Sequence, residues 1–452
     1  MLENQDFLGG IIRFSPNLII INLLFAIGFV FLWVKEYKKT GWMINYYIFH
    51  FFLLFFVPVF LMYPFSSSEL NIISVGQKYD AIEARINNSY LITCTGIIFF
   101  LIGKSVYSIT GDLNILSLPA IASKPIDLLI YKNIKQPHAL RILSFFVLLL
   151  LLSLIFVQFS SGYIGDPRGF FMENNAYRPI YNFISSIYGI VSTFLAIRFI
   201  QYKEKKDLYL FITLAAFSIG IGTRSAVLSS IVTMGLFYIF KNNGKFKPGR
   251  VILFLLIAVV FSLYMEGIRH GIFDFILVMQ GGLANIFYGN NFSDIRDFAW
   301  ILAYWDGSYL LGKSYIAGLM AFIPSTLSDF REIWSISRYT NEIVGFDSSV
   351  HAGLRPGTFG EAYFNFGITG VMFIGLIGGF TLESSSAKIM NAVKFNDDIA
   401  LAYSKSFSYI FISNFFITAG FFSLYVFVFT ISIMWALNKF ISLQTSQEQE
   451  NE

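Results

Sequence analysis

The sequence is poor in cysteine, histidine and charge, and each shortage excludes a class of protein. It has 452 residues and one cysteine, Cys94, so disulfides and cysteine metal sites are excluded. The four histidines show no helical metal-ligand spacing, so the sequence predicts no metal site, although carboxylates could still bind a divalent ion. Charged residues make up 13% of the chain, about half the usual fraction in soluble proteins. A soluble enzyme is therefore not expected.

Long apolar segments are abundant, and 56% of the residues are hydrophobic. Several segments approach the ~20 residues that a helix needs to cross a bilayer. The sequence therefore predicts an all-α, polytopic membrane protein with about 11 transmembrane helices. The predicted spans are 17–34, 43–63, 89–109, 140–159, 180–200, 208–222, 224–240, 251–268, 359–381, 400–418 and 420–438. The first span is too long for a signal peptide. A twelfth, re-entrant piece within 113–134 is an alternative.

Lysines are concentrated in alternate loops, which predicts the orientation of the chain. The lysine-rich loops lie at 35–39, 124–135, 203–206, 241–247 and 388–394. Because positive residues favour cytoplasmic loops, the N-terminus is predicted outside and the C-terminus in the cytoplasm. The predicted organisation is an N-terminal bundle of about eight helices (1–268), a long external loop (269–358), about three C-terminal helices (359–440) and a cytoplasmic tail (441–452).

The external loop is too rich in apolar residues to be disordered. One stripe at helical spacing consists of Phe298, Ile301, Leu302, Trp305 and Tyr309. This stripe predicts an amphipathic helix lying at the membrane surface. Residues 316–323, which end at Pro324, are predicted either to dip into the bilayer or to pack on the helical bundle.

Arginine, unlike lysine, is concentrated on the predicted external side. These residues are Arg13, Arg85, Arg168, Arg178, Arg224, Arg269, Arg296, Arg331, Arg338 and Arg355. External cations oppose the insertion bias, and arginine binds phosphate or carboxylate with two parallel hydrogen bonds. Alternatively, some pair with neighbouring carboxylates, such as Arg296 with Asp294 or Asp297, and Arg331 with Asp329 or Glu332. The candidates for anion binding are Arg168, Arg178, Arg224 and Arg355.

Three of these arginines have distinctive sequence neighbourhoods. Arg224 ends the segment 220–224 between two apolar helices, where a guanidinium is costly unless it reaches the interface or a partner. Arg168 and Arg178 belong to a polar loop, 162–179, whose glycines and tyrosines suit sugar hydroxyls and rings. The alternative for this loop is a plain helix connection built from turn residues.

The densest pattern of candidate residues runs from His351 to Gly367. Pro356 and Gly357 predict a tight turn before a helix whose N-terminus points outward and favours an anion beside Arg355. Tyr363 and Asn365 then enter the membrane on that helix. The catalytic candidates are Glu361 and His351, followed by Asp329 and Asp347. Glu361 is alternatively a residue that compensates the helix dipole.

At these residues the sequence resembles the Wzy-type polymerases of O-antigen and oligosaccharide repeat units. The matching features are Gly222-Thr-Arg224 between two short helices, the long external loop late in the chain, and the segment from Arg355 to Gly367 that closes it. The architecture is similar over most of the chain, whereas the motifs cover about thirty residues. The resemblance implies a GT-C-like helical bundle in the bacterial inner membrane, with the external loop in the periplasm.

The resemblance also implies a reaction and its partners. The growing glycan would move from undecaprenyl pyrophosphate onto a new lipid-linked repeat unit, without a cofactor or a nucleotide sugar. The arginines, with Tyr363 and Asn365, would contact pyrophosphates or sugars, and Glu361 or His351 would take the acceptor proton. A membrane chain-length regulator is a further implied partner, and nucleic acid is not. The rival interpretations are a flippase or transporter of the same lipid-linked oligosaccharides and an O-antigen ligase.

Overall fold

The computed structural model describes the chain in separate stretches. They are residues 16–40, 51–56, 79–111, 118–162, 167–174, 176–222, 293–324, 327–347 and 353–450, with isolated positions between 235 and 279. Every regular element in these stretches is a helix, and none of the stretches contains a strand. The predicted all-α class is confirmed for this part of the chain.

Fifteen α-helices can be named within the described stretches. Those before residue 230 are α1 (Pro16–Thr40), α2 (Tyr79–Thr110), α3 (Leu118–Lys135), α4 (Pro137–Ser160), α5 (Pro167–Glu173), α6 (Arg178–Tyr202) and α7 (Lys205–Gly220). Those after residue 290 are α8 (Asp294–Tyr304), α9 (Lys313–Leu319), α10 (Asp329–Trp334), α11 (Ile336–Val344), α12 (Gly357–Asn396), α13 (Ile399–Lys405), α14 (Phe407–Phe416) and α15 (Phe421–Glu450). A π-helical turn spans Phe52–Phe56, and a 3-10 turn, Thr418–Gly420, joins α14 to α15.

Six of these helices are long and apolar enough to cross a membrane: α1, α2, α4, α6, α12 and α15. They coincide with the predicted spans that begin at residues 17, 89, 140, 180, 359 and 420. A helix needs about 20 predominantly apolar residues to cross a bilayer, and each of these six apolar helices has at least 22 residues. The chain is therefore a multi-pass membrane protein.

The other predicted spans differ from this pattern or lie elsewhere. The helix predicted at 208–222 exists as α7 and ends at Gly220, followed by Gly222 with a φ of 78°. The span predicted at 400–418 is divided into the short helices α13 and α14. The alternative piece at 113–134 contains helix α3, which is not among the six apolar helices. Spans 43–63, 224–240 and 251–268 lie mostly outside the described residues, so the count of eleven stays a prediction.

The chain forms two compact units, each built from separate stretches of sequence. The first comprises Met1–Pro119, Leu283–Ser384 and Tyr409–Phe422. The second comprises Ala120–Gly282, Ser385–Ser408 and Ser423–Glu452. The predicted divisions at residues 268, 358 and 440 follow the membrane topology and stay predictions.

In the first unit, glycines bring the backbones of α2 and α12 into direct contact. A Cβ atom at Gly379 would lie 1.8 Å from the carbonyl oxygen of Phe100. A Cβ atom at Gly103 would lie 2.0 Å from the carbonyl oxygen of Leu376. Gly375 and Gly379 are four residues apart, which is the spacing that allows helices to approach closely within membranes. Only glycine fits at these positions, so the glycines fix the crossing of the two helices.

Helix α12 is interrupted one-quarter of the way along its length. Phe366 and Gly367 have non-helical backbone angles, with a φ of 64° at Gly367. Such a break frees the carbonyl groups of the preceding turn. The backbone N–H of Leu310 donates to the carbonyl of Phe364 at 2.9 Å, and that of Leu311 donates to the carbonyl of Asn365 at 3.1 Å. The loop before α9 therefore satisfies the hydrogen bonds that the break leaves open.

Helix α8 corrects one prediction about the external loop. The stripe residues Phe298, Ile301 and Leu302 do lie on a helix, but that helix is buried on both faces rather than lying at the membrane surface. It packs against α2, where the Ser89 hydroxyl donates to the carbonyl of Ile295 at 3.2 Å. The helix ends at Tyr304 because Trp305 adopts an extended backbone, so Trp305 falls outside the predicted stripe.

Two other segments of this loop agree with the sequence analysis. Helix α11 is amphipathic, with Ile336, Tyr339 and Val344 buried and Glu342 exposed. Residues 316–323 form the end of α9 and a following turn. Ala317 and Gly318 are buried there, and a Cβ atom at Gly318 would lie 2.5 Å from the Cβ of Thr418. The second of the two predicted alternatives, packing on the bundle, therefore applies to this face.

In the second unit, a buried network of ion pairs joins α6 to α7. The guanidinium of Arg198 is fully buried and donates to the Asp207 carboxylate at 2.9 Å. Arg141, on α4, donates to the same carboxylate at 2.9 Å and pairs with Glu204. Buried charges persist where each one has a partner. These two arginines of the lysine-rich side therefore serve the structure.

Candidate functional site

The candidate site lies in the first unit, where α8, α12 and the loops around them meet. A buried ion pair forms its base: Arg296 donates to Asp297 Oδ1 through Nε at 3.0 Å and through Nη2 at 2.8 Å. The Ser293 hydroxyl and the backbone N–H of Arg355 donate to Asp297 Oδ2, at 2.8 and 3.4 Å. The pairing of Arg296 with Asp297, one of the alternatives predicted from sequence, is confirmed. Arg296 thus supports the segment that carries Arg355.

Helix α12 begins at Gly357, as the Pro356-Gly357 pattern predicts. Gly357 has a φ of 68°, and a Cβ atom there would lie 3.1 Å from Asp294 Oδ2. The anion at this N-terminus is therefore a carboxylate of the protein itself. Burial and the charge of Asp297 raise the pKa of Asp294 to about 6, although the nearby Arg355 opposes the shift. The Arg355 side chain is exposed and faces outward from the unit.

Aromatic rings form a partly exposed surface beside this helix start. The Trp305 ring lies 5.3 Å from Tyr309 and 5.6 Å from Tyr363, centroid to centroid. The Trp305 indole N–H donates to the Tyr339 hydroxyl at 3.0 Å, which fixes the orientation of the ring. Tyr309 is exposed, whereas Trp305 and Tyr363 are half-buried. Rings with one apolar face and a polar edge suit ligands that combine both characters, such as sugars.

Glu361 lies beneath this surface, enclosed by hydrogen bonds. Its side chain is 2% exposed. Oε1 accepts from the Thr418 hydroxyl at 2.6 Å and the Ser314 hydroxyl at 3.0 Å, and Oε2 accepts from the Thr418 backbone N–H at 3.2 Å. A general base must reach the proton that it removes. This geometry favours a role for Glu361 in holding Ser314 and Thr418, and its assignment as the base stays a prediction.

Asn365 extends the same network. Its amide donates to the Ser314 hydroxyl at 2.7 Å and to the Glu361 carbonyl at 2.8 Å. Its side-chain oxygen accepts from the backbone N–H of Gly312 at 3.0 Å. Asn365 is fully buried, so its polar groups are used inside the protein. The side chain therefore fastens the loop before α9 onto the break in α12.

The remaining predicted site residues lie in the second unit, at exposed positions or outside the described residues. Arg178 is exposed at the start of α6 in the second unit, and Arg168 lies on α5 in the same unit. Arg224 and His351 lie outside the described residues. Asp329 is exposed at the start of α10. Among the described residues, no three His, Cys, Asp or Glu side chains are placed to hold a metal ion.

A pocket in the first unit contains arginines that the sequence reading had not assigned to a site. It has a volume of about 290 Å³ and lies among α9, α10, α11 and the turn before α15. Arg331, Arg338 and Thr418 are among its lining residues. Sequence spacing could not reveal this pocket because Ser335 separates α10 from α11 and changes the direction of the chain.

Comparisons with known proteins add no relative to this description. No protein-family model matches the chain, and no match was found among curated proteins or solved structures. The interpretation of the site therefore depends on its own geometry and on the sequence motifs.

Proposed function

We propose that this protein polymerises oligosaccharide repeat units carried on undecaprenyl pyrophosphate, at the periplasmic face of the bacterial inner membrane. One observation carries the proposal: an exposed arginine, Arg355, and an aromatic surface adjoin the start of a membrane-spanning helix. Substrates of such a polymerase have a sugar, an anionic pyrophosphate and a lipid chain. The arginine suits the anion, the rings suit the sugar, and the membrane holds the chain.

The chemistry of glycosyl transfer assigns roles to these groups. The bond between the sugar and the pyrophosphate breaks, and the pyrophosphate leaves with the electron pair. Fixed guanidinium groups stabilise the charge that develops on this leaving group. Arg168, Arg178, Arg224 and Arg355 are the contacts to pyrophosphate or sugar proposed from sequence, together with Tyr363. Asn365 holds the loop before α9.

The acceptor hydroxyl must lose a proton as the new glycosidic bond forms. A positioned base contributes about 10²–10⁴-fold to such a step. Glu361 and His351 are the bases proposed from sequence. Asp294 is a third candidate because it is a half-buried residue beside Arg355 and burial raises the pKa of its carboxyl to about 6.

A flippase of the same lipid-linked sugars is the second candidate, and the break in α12 favours it. Interrupted membrane helices are characteristic of substrate sites in transporters. In this protein, however, the carbonyls of Phe364 and Asn365 at the break accept hydrogen bonds from Leu310 and Leu311, so the break is closed by the protein's own loop. The polymerase is therefore the better-supported proposal, and the ligase shares its chemistry with a different acceptor.

A deletion strain separates the polymerase from the ligase and the flippase by the lipopolysaccharide ladder on a gel. Loss of a polymerase leaves a single repeat unit on the lipid core, whereas loss of a ligase or a flippase leaves none. Restoration of the ladder by the wild-type gene completes the test. A strain that lacks even the single repeat unit would contradict the polymerase assignment.

Arg355→Lys tests the proposed site in the same strain. Lysine keeps the charge but cannot make two parallel hydrogen bonds, and one charge-assisted bond contributes about 1.5–3 kcal/mol. We expect at least a tenfold loss of chain extension at normal membrane abundance. Lys394→Arg, an exchange at an exposed position on the predicted cytoplasmic side, is the matched control and should be silent. A full ladder from Arg355→Lys would show that this arginine serves only the structure.

A further inference from the structure

The pocket between α9 and the turn before α15 has the composition of an anion site. Two arginines, Arg331 and Arg338, and three residues with hydroxyl groups, Ser335, Ser337 and Thr418, are among its lining residues. Glu332 also lines it, and its carboxylate accepts from Arg338 Nη2 at 2.8 Å. The carboxylate charge is therefore matched within the pocket wall, which leaves the charge of Arg331 for a ligand.

Arg331 is the cation that this inference depends on. Sequence alone allowed it to pair with Asp329 or Glu332, but among the ion pairs of the described residues Glu332 binds Arg338, and Arg331 is in none. Its side chain is half-buried, and burial lowers the pKa of the guanidinium, which nevertheless stays protonated in proteins. A partly desolvated cation without an ion-pair partner attracts an anion more strongly than one in water.

The size and surroundings of the pocket restrict its ligand. At about 290 Å³ it lies at the lower end of the volumes of ligand pockets, roughly 300–1,000 Å³, so it suits a head group rather than an oligosaccharide. Ile316, Leu327 and Ile333 are exposed on the segment that forms it. Exposed apolar side chains of this kind favour contact with lipid. An anion attached to an apolar chain fits both features.

The pocket is also joined to the candidate site. Thr418 forms part of its wall and donates its hydroxyl to Glu361 Oε1 at 2.6 Å. Gly318, another wall residue, packs so closely on Thr418 that a Cβ atom would lie 2.5 Å from the Thr418 Cβ. Glu361 thus holds one wall of the pocket in place, which gives this buried carboxylate a positioning role.

We propose that this pocket binds the diphosphate end of a lipid-borne substrate, with Arg331 as the principal contact. The proposal rests on the proposed function, since it assigns the pyrophosphate of that substrate to a defined place. It adds Arg331 and Arg338 to the anion-binding residues predicted from sequence.

Ligand binding to the purified full-length chain in detergent tests the proposal directly. The probes are farnesyl diphosphate, which has both the anion and the chain, inorganic diphosphate, which has the anion alone, and farnesol, which has the chain alone. Stabilisation against thermal unfolding reports the affinity of each probe. We expect farnesyl diphosphate to bind most tightly, inorganic diphosphate at least tenfold more weakly, and farnesol without effect. Equal affinity of the two diphosphates would instead assign the pocket to the free anion and overturn a lipid-borne ligand.

Three variants assign any binding to the pocket. Arg331→Gln removes the proposed contact, and Ala321→Leu fills the pocket while keeping its charges; each should weaken farnesyl diphosphate binding at least tenfold. Lys394→Gln makes the same charge change at an exposed position elsewhere and should bind as the wild type does. The Tm without probe shows that each variant is folded. Wild-type affinity in both pocket variants would overturn the proposal.

The two proposals fail in different experiments. If the deletion strain confirms a polymerase while both pocket variants bind farnesyl diphosphate normally, the proposed pocket is wrong and the proposed function is supported. If the deletion strain shows another function while both pocket variants lose farnesyl diphosphate binding, the proposed binding pocket is supported and the proposed polymerase function is wrong.

Discussion

Two carboxyl groups near the start of α12 have opposite surroundings. Glu361 accepts three hydrogen bonds from Ser314 and Thr418. Asp294 faces the carboxylate of Asp297, and burial raises its pKa to about 6. Glu361 therefore has a hydrogen-bond donor on each carboxylate oxygen, whereas the ionised form of Asp294 faces a like charge. The consequence is that the same amide substitution has opposite effects on stability at the two positions.

Asp294→Asn is expected to stabilise the protein increasingly as the pH rises from about 4 to 6, and by its full amount above pH 6. A carboxyl whose pKa is raised on folding contributes most below its unfolded value near 4, and this contribution is lost as the pH rises through 6. Asparagine has no charge to desolvate, so the free energy of unfolding should rise by about 1–3 kcal/mol at pH 8 and little at pH 4. Thermal unfolding in detergent between these pH values measures the difference. An equal effect at both values would contradict it.

Glu361→Gln is the matched comparison for Asp294→Asn. Its amide must turn an N–H toward the Thr418 N–H or lose an acceptor for the hydroxyls, which costs about 1–3 kcal/mol. The variant should therefore have a lower Tm at pH 8 in the same measurement. An unchanged Tm together with a lost ladder would instead support Glu361 as the general base. In that case the substitution would remove activity without lowering the stability of the protein.

At the scale of elements, the contact between α2 and α12 places the candidate site. Phe359 and Glu361 lie on the first turns of α12, and a Cβ atom at Gly96 of α2 would lie 2.3 Å from the Phe359 ring. Any separation of the two helices therefore moves the residues that carry the site. The glycines at the contact between α2 and α12 therefore affect the candidate site, although most of them lie farther along these helices.

Gly379→Leu is expected to disrupt this contact. Its side chain would have to occupy the space of the Phe100 carbonyl, 1.8 Å from the new Cβ, so the helices must move apart. We expect a loss of at least about 1–3 kcal/mol of stability, as for other overpacked positions, and a lower Tm in detergent. Gly28→Leu, at a glycine of α1 with open space around it, is the matched control. A wild-type Tm for Gly379→Leu would contradict the close crossing.

The sequence predicted the elements of this site more accurately than their contacts. Pro356 and Gly357 located the start of α12, because turn chemistry is local. The apolar stripe beginning at Phe298 located α8 but not its burial, because a helix covered on both faces resembles an amphipathic one when its partners are unknown. The pairing of Arg338 with Glu332 depends on the change of chain direction at Ser335, and the contact of Gly379 with Phe100 joins residues far apart in sequence, so spacing alone could not reveal either.

At the scale of the whole molecule, the orientation in the membrane is the prediction with the widest consequences. It places the aromatic surface, Arg355 and the pocket outside the cell membrane, where lipid-linked repeat units are polymerised. It depends on the lysine asymmetry of the loops. The six apolar helices are compatible with either orientation.

Cysteine labelling decides the orientation. In a Cys94→Ser background, Ser308→Cys and Ser161→Cys should react with an impermeant maleimide in intact spheroplasts, and Lys206→Cys and Asn396→Cys should react only after permeabilisation. All four positions are exposed, so burial does not mask the result. The reverse pattern would place the arginines in the cytoplasm and contradict the proposed function.

The closed break in α12 has a consequence for the order in which the protein is made. Leu310 and Leu311, which satisfy the open carbonyls, precede α12 in the chain and leave the ribosome first. Thr418, the last partner of Glu361, is synthesised more than fifty residues later. When α12 is inserted, Leu310 and Leu311 have therefore already been synthesised and can bind its open carbonyls. The wall of the pocket is completed only after Thr418 and the final helix, α15, have been synthesised. A ribosome stalled before residue 418 would hold a protein with the break already closed and the pocket still open.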